Sequence, residues 1–148
     1  MDGTLELLHR VTRTTVTIAA RIPAEHPSAA VLGTARFGTG VAVAEKGLIL
    51  TVSYVVLGAD HIVVTDLEGR EHRARPVAHD FLTGIALLRI AAALPIIAAG
   101  SSSTLGLGAD VFTVAAVGNA ERRVASGAVT SLETFDAYWE YRKPFWRD

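Results

Sequence analysis

Apolar and polar residues alternate along most of this chain, with the period of a half-buried β-strand. The exception is the start, where Leu5, Leu8 and Val11 fall on one face of a short predicted helix over residues 4–11. A first strand is predicted where Val16, Ile18 and Ala20 alternate with smaller or polar residues, and a proline-containing loop comes after it. Further strands are predicted over residues 41–44, 48–52, 62–67, 72–77, 84–90, 110–119 and 126–133.

Short strands at this spacing are typical of β-sandwiches and closed barrels, so the fold class is predicted to be all-β. The 148 residues, half of them apolar, with a mean hydropathy of +0.35, are enough for one domain with an ordinary core. The chain is short for an enzyme built of two β-barrels, which takes about 200 to 250 residues.

Charge and composition exclude several classes of site. Fourteen basic residues against fifteen acidic ones give a net charge of −1, without long blocks of either sign, so we expect neither nucleic acid nor membrane as a partner. The absence of cysteine excludes disulfides, thiolate metal sites and a cysteine nucleophile. No basic leader with a long apolar core stands at the start, so the chain is expected to be unprocessed, and its localisation stays unknown.

The histidines and serines are the obvious candidates for catalytic or metal-binding groups. His79 precedes Asp80, but neighbours on a strand point to opposite faces, so adjacency alone does not make a catalytic pair. Ser101, Ser102 and Ser103 form a run of hydroxyl groups, and no cofactor or metal site is predicted. A surface or structural role is expected for all five histidines: His9, His26, His61, His72 and His79.

The end of the chain is unusually aromatic. Two interpretations stay open: the aromatic segment covers the edge of an incomplete barrel, or it forms a surface for a partner or a second copy. Its aromatic residues are Phe135, Tyr138, Trp139, Tyr141, Phe145 and Trp146.

The order of motifs from "GTGVAVAEKGLILTVSYVV" through "TGIALLRI" to "SGAVTSLE" resembles the HtrA/DegP type of trypsin-like serine protease domain. The resemblance covers residues 38–133 and implies a chymotrypsin-type double β-barrel, with the first barrel complete and the second only partly present. It implies a division into three parts. Residues 1–37 hold a helix, the first strand and a loop, and residues 38–98 form the first barrel. Residues 99–148 form a linker, which includes Ser101, Ser102 and Ser103, and the start of the second barrel. Such proteases are mostly extracytoplasmic and serve protein quality control.

The resemblance also implies where a catalytic triad would lie. Its histidine falls on Tyr54 and its aspartate on Gly84, while the serine lies in a Gly-Asn-Ser-Gly-Gly stretch that does not occur before Asp148. A tyrosine phenol, with an ordinary pKa of about 10, keeps its proton at neutral pH and is a donor rather than a base, and glycine has no side chain to orient a base. No catalytic residue is therefore assigned.

Two functions are proposed as hypotheses. The first is an inactive protease homologue that binds a peptide or an unfolded protein segment, or acts as a regulatory module. The second is the N-terminal fragment of a larger serine endopeptidase whose nucleophile lies beyond this chain. Tyr54 itself is interpreted either as a plug that fills a lost active-site cleft or as a ring that lines a groove.

Overall fold

Six antiparallel strands close into a barrel in the first part of the chain. The computed structural model describes residues 2–118 and 120–134. Around the barrel the strands are arranged in the order β1-β2-β3-β6-β5-β4. They are β1 (Thr15–Arg21), β2 (Ala35–Ala44), β3 (Leu48–Val52), β4 (His61–Thr65), β5 (Glu71–Asp80) and β6 (Ile85–Ile90). The predicted all-β fold with a complete first barrel is confirmed.

Helices and a second, smaller sheet complete the described structure. The helices are α1 (Asp2–Thr14), α2 (Ala29–Leu32), α3 (Ser53–Val56) and a 3-10 turn (Ser102–Thr104), and the second sheet consists of β7 (Asp110–Ala116) and β8 (Arg122–Ala128). Within the described ranges, no helix combines the length and the apolar character that a membrane crossing requires. Among these residues, the predicted partial second barrel is a two-stranded sheet.

Several element boundaries differ from those predicted. The helix predicted over residues 4–11 extends from Asp2 to Thr14, and β1 of the barrel begins at Thr15. The last strand is predicted over residues 126–133, but β8 ends at Ala128. The reason is pairing: a turn in which the Val117 amide donates to the Glu121 carbonyl aligns β8 with β7 from Arg122 onward.

The core fills the barrel with alternate side chains of each strand. Val16, Ile18 and Ala20 of β1 point inward, as their period of two predicts. Gly40 of β2 faces the same interior, where a Cβ atom would come within 2.7 Å of both Ile18 and Ile49. Glycine is therefore required there so that larger side chains of neighbouring strands can meet.

Arg122 holds the second sheet against the barrel. Its Nε and Nη2 atoms donate to the carbonyl of Thr15 at 3.0 and 2.9 Å, and Nη1 donates to the Thr17 hydroxyl at 3.2 Å. Thr39 adds a further link, because its hydroxyl accepts a hydrogen bond from the amide of Ala116. Burial at this junction lowers the pKa of Arg122, since the charged form loses water.

Candidate functional site

The corner between β3 and β4 is built from α3, a single helical turn with the sequence Ser-Tyr-Val-Val. Val55 and Val56 are almost completely buried, and each such side chain contributes about 1.5–3 kcal/mol when removed from water. Ser53 is buried as well, and its hydroxyl donates to the carbonyl of Ile85 at 3.0 Å. These three anchors fix the corner and leave Tyr54 as its outward-facing residue.

The two positions that the resemblance compares with a catalytic histidine and aspartate lie side by side. The amide of Ser53 donates to the carbonyl of Gly84 at 2.8 Å, which joins the corner to the turn between β5 and β6. Gly84 has a φ of 73°, and no atom lies within 4 Å of the place where its Cβ atom would be. The turn is therefore open, and its backbone conformation favours glycine.

Tyr54 does not fill a cleft between the described residues. Its side chain is 60% exposed, and no described residue forms a hydrogen bond with its hydroxyl group. Its ring is therefore available to a partner, and the interpretation of Tyr54 as a plug finds no support in the part of the chain that the structure describes.

Exposed apolar side chains lie on the segments that adjoin the corner with Tyr54. Val52 and Ile85 are paired across β3 and β6, and Phe81 and Leu82 belong to the adjoining turn between β5 and β6. All four are exposed, with Leu82 at 96%. We call these four residues and Tyr54 the apolar rim. Large exposed apolar side chains that concentrate on one part of a protein are typical of an interaction site.

A buried arginine supports the corner from beneath. Arg36 is only 5% exposed, and its guanidinium donates to the carbonyls of Tyr54, Leu57 and Gly33 at 2.8, 3.1 and 3.1 Å. It also donates to the hydroxyl of Ser28 at 2.7 Å. Burial lowers the pKa of Arg36, yet a guanidinium keeps its charge in proteins. The sequence offered no signal for this residue, because its partners are mostly backbone carbonyls brought together by folding.

His79 approaches the corner, although the sequence gave no reason to pair it with Ser53. Its Nδ1 atom lies 3.5 Å from the Ser53 hydroxyl, and its ring stacks on Phe81 with centroids 5.4 Å apart. The one hydroxyl proton of Ser53 already points to the Ile85 carbonyl, so His79 can only donate to that oxygen. Burial lowers the pKa of His79, which keeps the ring neutral at pH 7.

Asp80 forms its hydrogen bonds with the turn that follows it and not with His79. Its Oδ1 atom accepts the backbone N–H groups of Leu82 and Thr83 at 3.0 and 3.3 Å, which stabilises the turn before Gly84. Hydrogen bonds to Thr83 lower the pKa of Asp80. The partners of His79 and Asp80 therefore differ, as the opposite faces of adjacent strand residues predicted.

The remaining sequence candidates lie apart from the corner. Ser101 and Ser103 are exposed and bond to each other at 2.6 Å, between the barrel and the second sheet. His26 contacts Ser28 through Nδ1 at 2.7 Å, and within the described ranges no three acidic, histidine or cysteine residues are placed to hold a metal. The aromatic segment from Phe135 to Trp146 lies outside the described residues.

His72 belongs to an ionic cluster around one buried carboxylate at the end of β4. Asp66, 2% exposed, accepts hydrogen bonds from Nε2 of His72 at 3.0 Å and from Nε of Arg70 at 2.8 Å. Burial alone would raise the pKa of Asp66, but its hydrogen bonds to His72 and Arg70 and the charge of Arg70 bring it down to about 2. The cluster stabilises the turn between β4 and β5 and lies away from the corner.

Known proteins share the sequence pattern of this barrel. A sequence profile described as "Trypsin-like peptidase domain" matches residues 38–145. The "Probable periplasmic serine endoprotease DegP-like" of Halomonas elongata is 34% identical over 96 residues, which are 64% of this chain and 20% of that protein. "Serine endoprotease DegS" of Salmonella typhimurium is 31% identical over 96 residues, 64% of this chain and 27% of that protein.

Structural comparison agrees with the sequences. The crystal structure of the serine endoprotease from Yersinia pestis superposes with a TM-score of 0.70 at 28% identity, covering 86% of this chain and 44% of that one. The chain spans only about a fifth of the length of the DegP-like relatives. The profile, the relatives and the barrel place the chain in one family: it belongs to the trypsin-like peptidase domain family, and its domain is of the HtrA/DegP type.

Proposed function

We propose that this chain is an HtrA-type domain that does not cleave peptide bonds through a serine–histidine–aspartate triad. In place of cleavage, it holds an extended polypeptide against the apolar rim at Tyr54. The observation that carries the proposal is the pair of neighbouring positions Tyr54 and Gly84, which supply neither a base nor a carboxylate where this type of enzyme needs both.

The groups near the corner do not replace the missing base. Serine attack requires a histidine nitrogen that accepts the hydroxyl proton. At this corner the Ser53 proton is directed at the carbonyl of Ile85, and Ser53 is buried away from any substrate. His79 is neutral and near, but it can only act as a donor to that hydroxyl. The described residues thus favour binding over hydrolysis.

The apolar rim favours an unfolded polypeptide as the bound molecule. Unfolded segments present the apolar side chains that a folded protein buries, and an exposed tyrosine ring offers a rigid contact surface at low entropic cost. Val52 and Ile85, paired across β3 and β6, add exposed aliphatic surface near the corner.

The binding test uses fluorescence anisotropy with a labelled fragment of unfolded casein. We expect Tyr54→Ala to weaken binding by about tenfold, in line with the loss of a buried aromatic contact. Tyr54→Phe should bind nearly as well, because the ring and not the hydroxyl makes the contact. Leu107→Ala, a comparably exposed apolar residue outside the rim, is the control. Equal binding by Tyr54→Ala and the unchanged chain would refute the proposal.

The inactivity test uses a fluorophosphonate probe and casein as substrate. We expect neither labelling nor cleavage by the 148-residue chain. The alternative function is that this chain is part of a larger serine endopeptidase whose nucleophile lies in another segment, which its coverage of about a fifth of the DegP-like relatives supports. Labelling of a longer version that carries a Gly-Asn-Ser-Gly-Gly stretch would favour this alternative.

A further inference from the structure

Four cationic side chains gather on the outside of the barrel, at the end of the β5–β6 hairpin that lies far from the corner. They are Arg73 and Arg75 of β5, Arg89 of β6 and Lys46 of the turn before β3. We call them the arginine patch. Arg89 lies four residues from Ile85 of the apolar rim, about 13 Å along the strand at ~3.3 Å per residue. The patch is therefore a separate surface, and a role for it does not depend on the proposed function.

Strand pairing brings three of these charges onto one face. Arg75 lies directly opposite Arg89 in the β5–β6 register. Arg73 is two residues before Arg75, so it points to the same outer face, while Ala74 between them is buried. Like charges directly opposite each other on adjacent strands destabilise a sheet. The arrangement is thus unfavourable for the isolated domain, and a bound anion would relieve it.

No carboxylate among the described residues neutralises the patch. The ion pairs of the described chain involve other cations: Arg21, Arg70, His72 and Arg123. Glu71 shares the face of Arg73 and Glu45 precedes Lys46, yet neither forms an ion pair with the patch. Within the described ranges, the one polar contact of these side chains is from Arg89 Nη1 to the carbonyl of Lys46, at 3.0 Å.

The patch surrounds a shallow trough. A depression of about 450 Å³ is lined by the three arginines together with Ala74, Ile90 and Ala91. It continues into a second depression of about 280 Å³ between Lys46 and residues 90–93. The two share Ile90 and Ala91, so small and apolar residues form the floor and cationic side chains form the walls.

The backbone at Lys46 gives a further reason to assign a role to this charge. Lys46 is the one non-glycine residue of the described chain with positive φ, at 58°, and Gly47 comes next with 67°. Asparagine, aspartate or glycine is preferred in such turns, because a lysine side chain is strained there. A lysine at this position is therefore explained better by its charge than by the turn.

We propose that the arginine patch docks an extended acidic polypeptide segment with carboxylates at alternate positions. Arg73 and Arg75 are two strand residues apart, about 6.6 Å, which equals the spacing of alternate side chains in an extended ligand. Guanidinium groups bind carboxylates in a two-pronged geometry, and the trough accommodates the ligand backbone. Glu71 and Glu45 flank the patch, and the net charge is −1, which disfavours a long nucleic acid or a flat anionic membrane.

The test is fluorescence anisotropy of the 148-residue chain with a labelled peptide that carries glutamates at alternate positions, Glu-Thr-Glu-Thr-Glu. A peptide with glutamine in place of glutamate controls for charge. We expect Arg73→Gln with Arg75→Gln to weaken binding by about tenfold or more, since two charge-assisted contacts are lost. Lys46→Asn should weaken it less while leaving the turn intact.

The matched control is Arg10→Gln with Arg13→Gln on α1, which changes the net charge equally but lies outside the patch. It should alter affinity by less than about twofold at about 0.15 M salt, where distant charges are screened. Equal losses in the two double variants would overturn the proposal, as would unchanged binding by Arg73→Gln with Arg75→Gln. Tighter binding to a single-stranded RNA oligonucleotide or to phosphatidylglycerol vesicles would also overturn it, because the partner would then not be an acidic polypeptide.

Discussion

The amide of Ser53 donates a hydrogen bond of 2.8 Å to the carbonyl of Gly84. This one contact ties the helical turn after β3 to the turn before β6, although the two residues are far apart in the sequence. The corner with Tyr54 and the turn with Gly84 therefore form one structural unit. A substitution on either side acts on both.

Gly84→Asp is expected to lower the free energy of unfolding by about 1 kcal/mol, because its φ of 73° disfavours a residue with a Cβ atom. There is open space around the position, so backbone conformation rather than a clash causes the loss. Urea denaturation measures it. Gly106→Asp is the control, since its surroundings are equally open and its φ is not positive. Losses of the same size at both positions would contradict this explanation.

Arg36→Met is expected to destabilise the domain by about 2–4 kcal/mol, since it removes the buried donor to the carbonyls of Tyr54 and Gly33. Arg36→Lys should destabilise the domain somewhat less than Arg36→Met, because lysine retains the positive charge although it lacks the planar fork of donors. Thermal unfolding followed by circular dichroism measures both. Arg21→Ala, which removes an exposed ion pair with Asp60, should change stability by less than about 0.5 kcal/mol. A similar effect of Arg36→Met and Arg21→Ala would argue against the supporting role of Arg36.

His79 is expected to make stability depend on pH in the weakly acidic range. Burial lowers its pKa in the folded state, so the unfolded chain binds the proton more readily. The contribution of His79 to the free energy of unfolding is complete above the pKa of about 6.5 in the unfolded chain. It is lost as the pH falls through the lower pKa of the folded state. Urea denaturation at a series of pH values from about 8 to about 5 measures this slope. His79→Gln should reduce the slope, whereas His9→Gln on the exposed face of α1 should leave it unchanged.

Asp66 is expected to control stability at lower pH. Its folded pKa of about 2 lies below the ordinary value of 3.8, so its contribution is present above about pH 4 and disappears as the pH falls toward 2. The difference corresponds to about 2 kcal/mol. Asp66→Asn should remove the stability change in this window and destabilise the domain at neutral pH. An unchanged acid profile in Asp66→Asn would show that other carboxylates cause the acid sensitivity.

The barrel was largely predictable from the sequence. The period of two in β3 and β6 arises from one buried face and one more exposed face, and local alternation is enough to reveal it. The last strand, predicted over residues 126–133, overlaps β8 only at residues 126–128, because β8 extends from Arg122 to Ala128. Its register is determined by pairing with β7, a contact between segments that local pattern does not encode.

In the candidate site, too, some features follow from the sequence and others only from the fold. The sequence alone shows that position 54 holds a tyrosine instead of a base and that position 84 holds a glycine instead of a carboxylate. Residue identity is enough for this conclusion, because it decides whether a side chain can accept a proton. Only the folded domain shows that Tyr54 is exposed and that the Arg36 guanidinium donates to its carbonyl. The folded domain also shows that Arg73, Arg75 and Arg89 share one face of the barrel. Those relationships arise from strand register and barrel closure, which bring distant residues together through packing and hydrogen bonds.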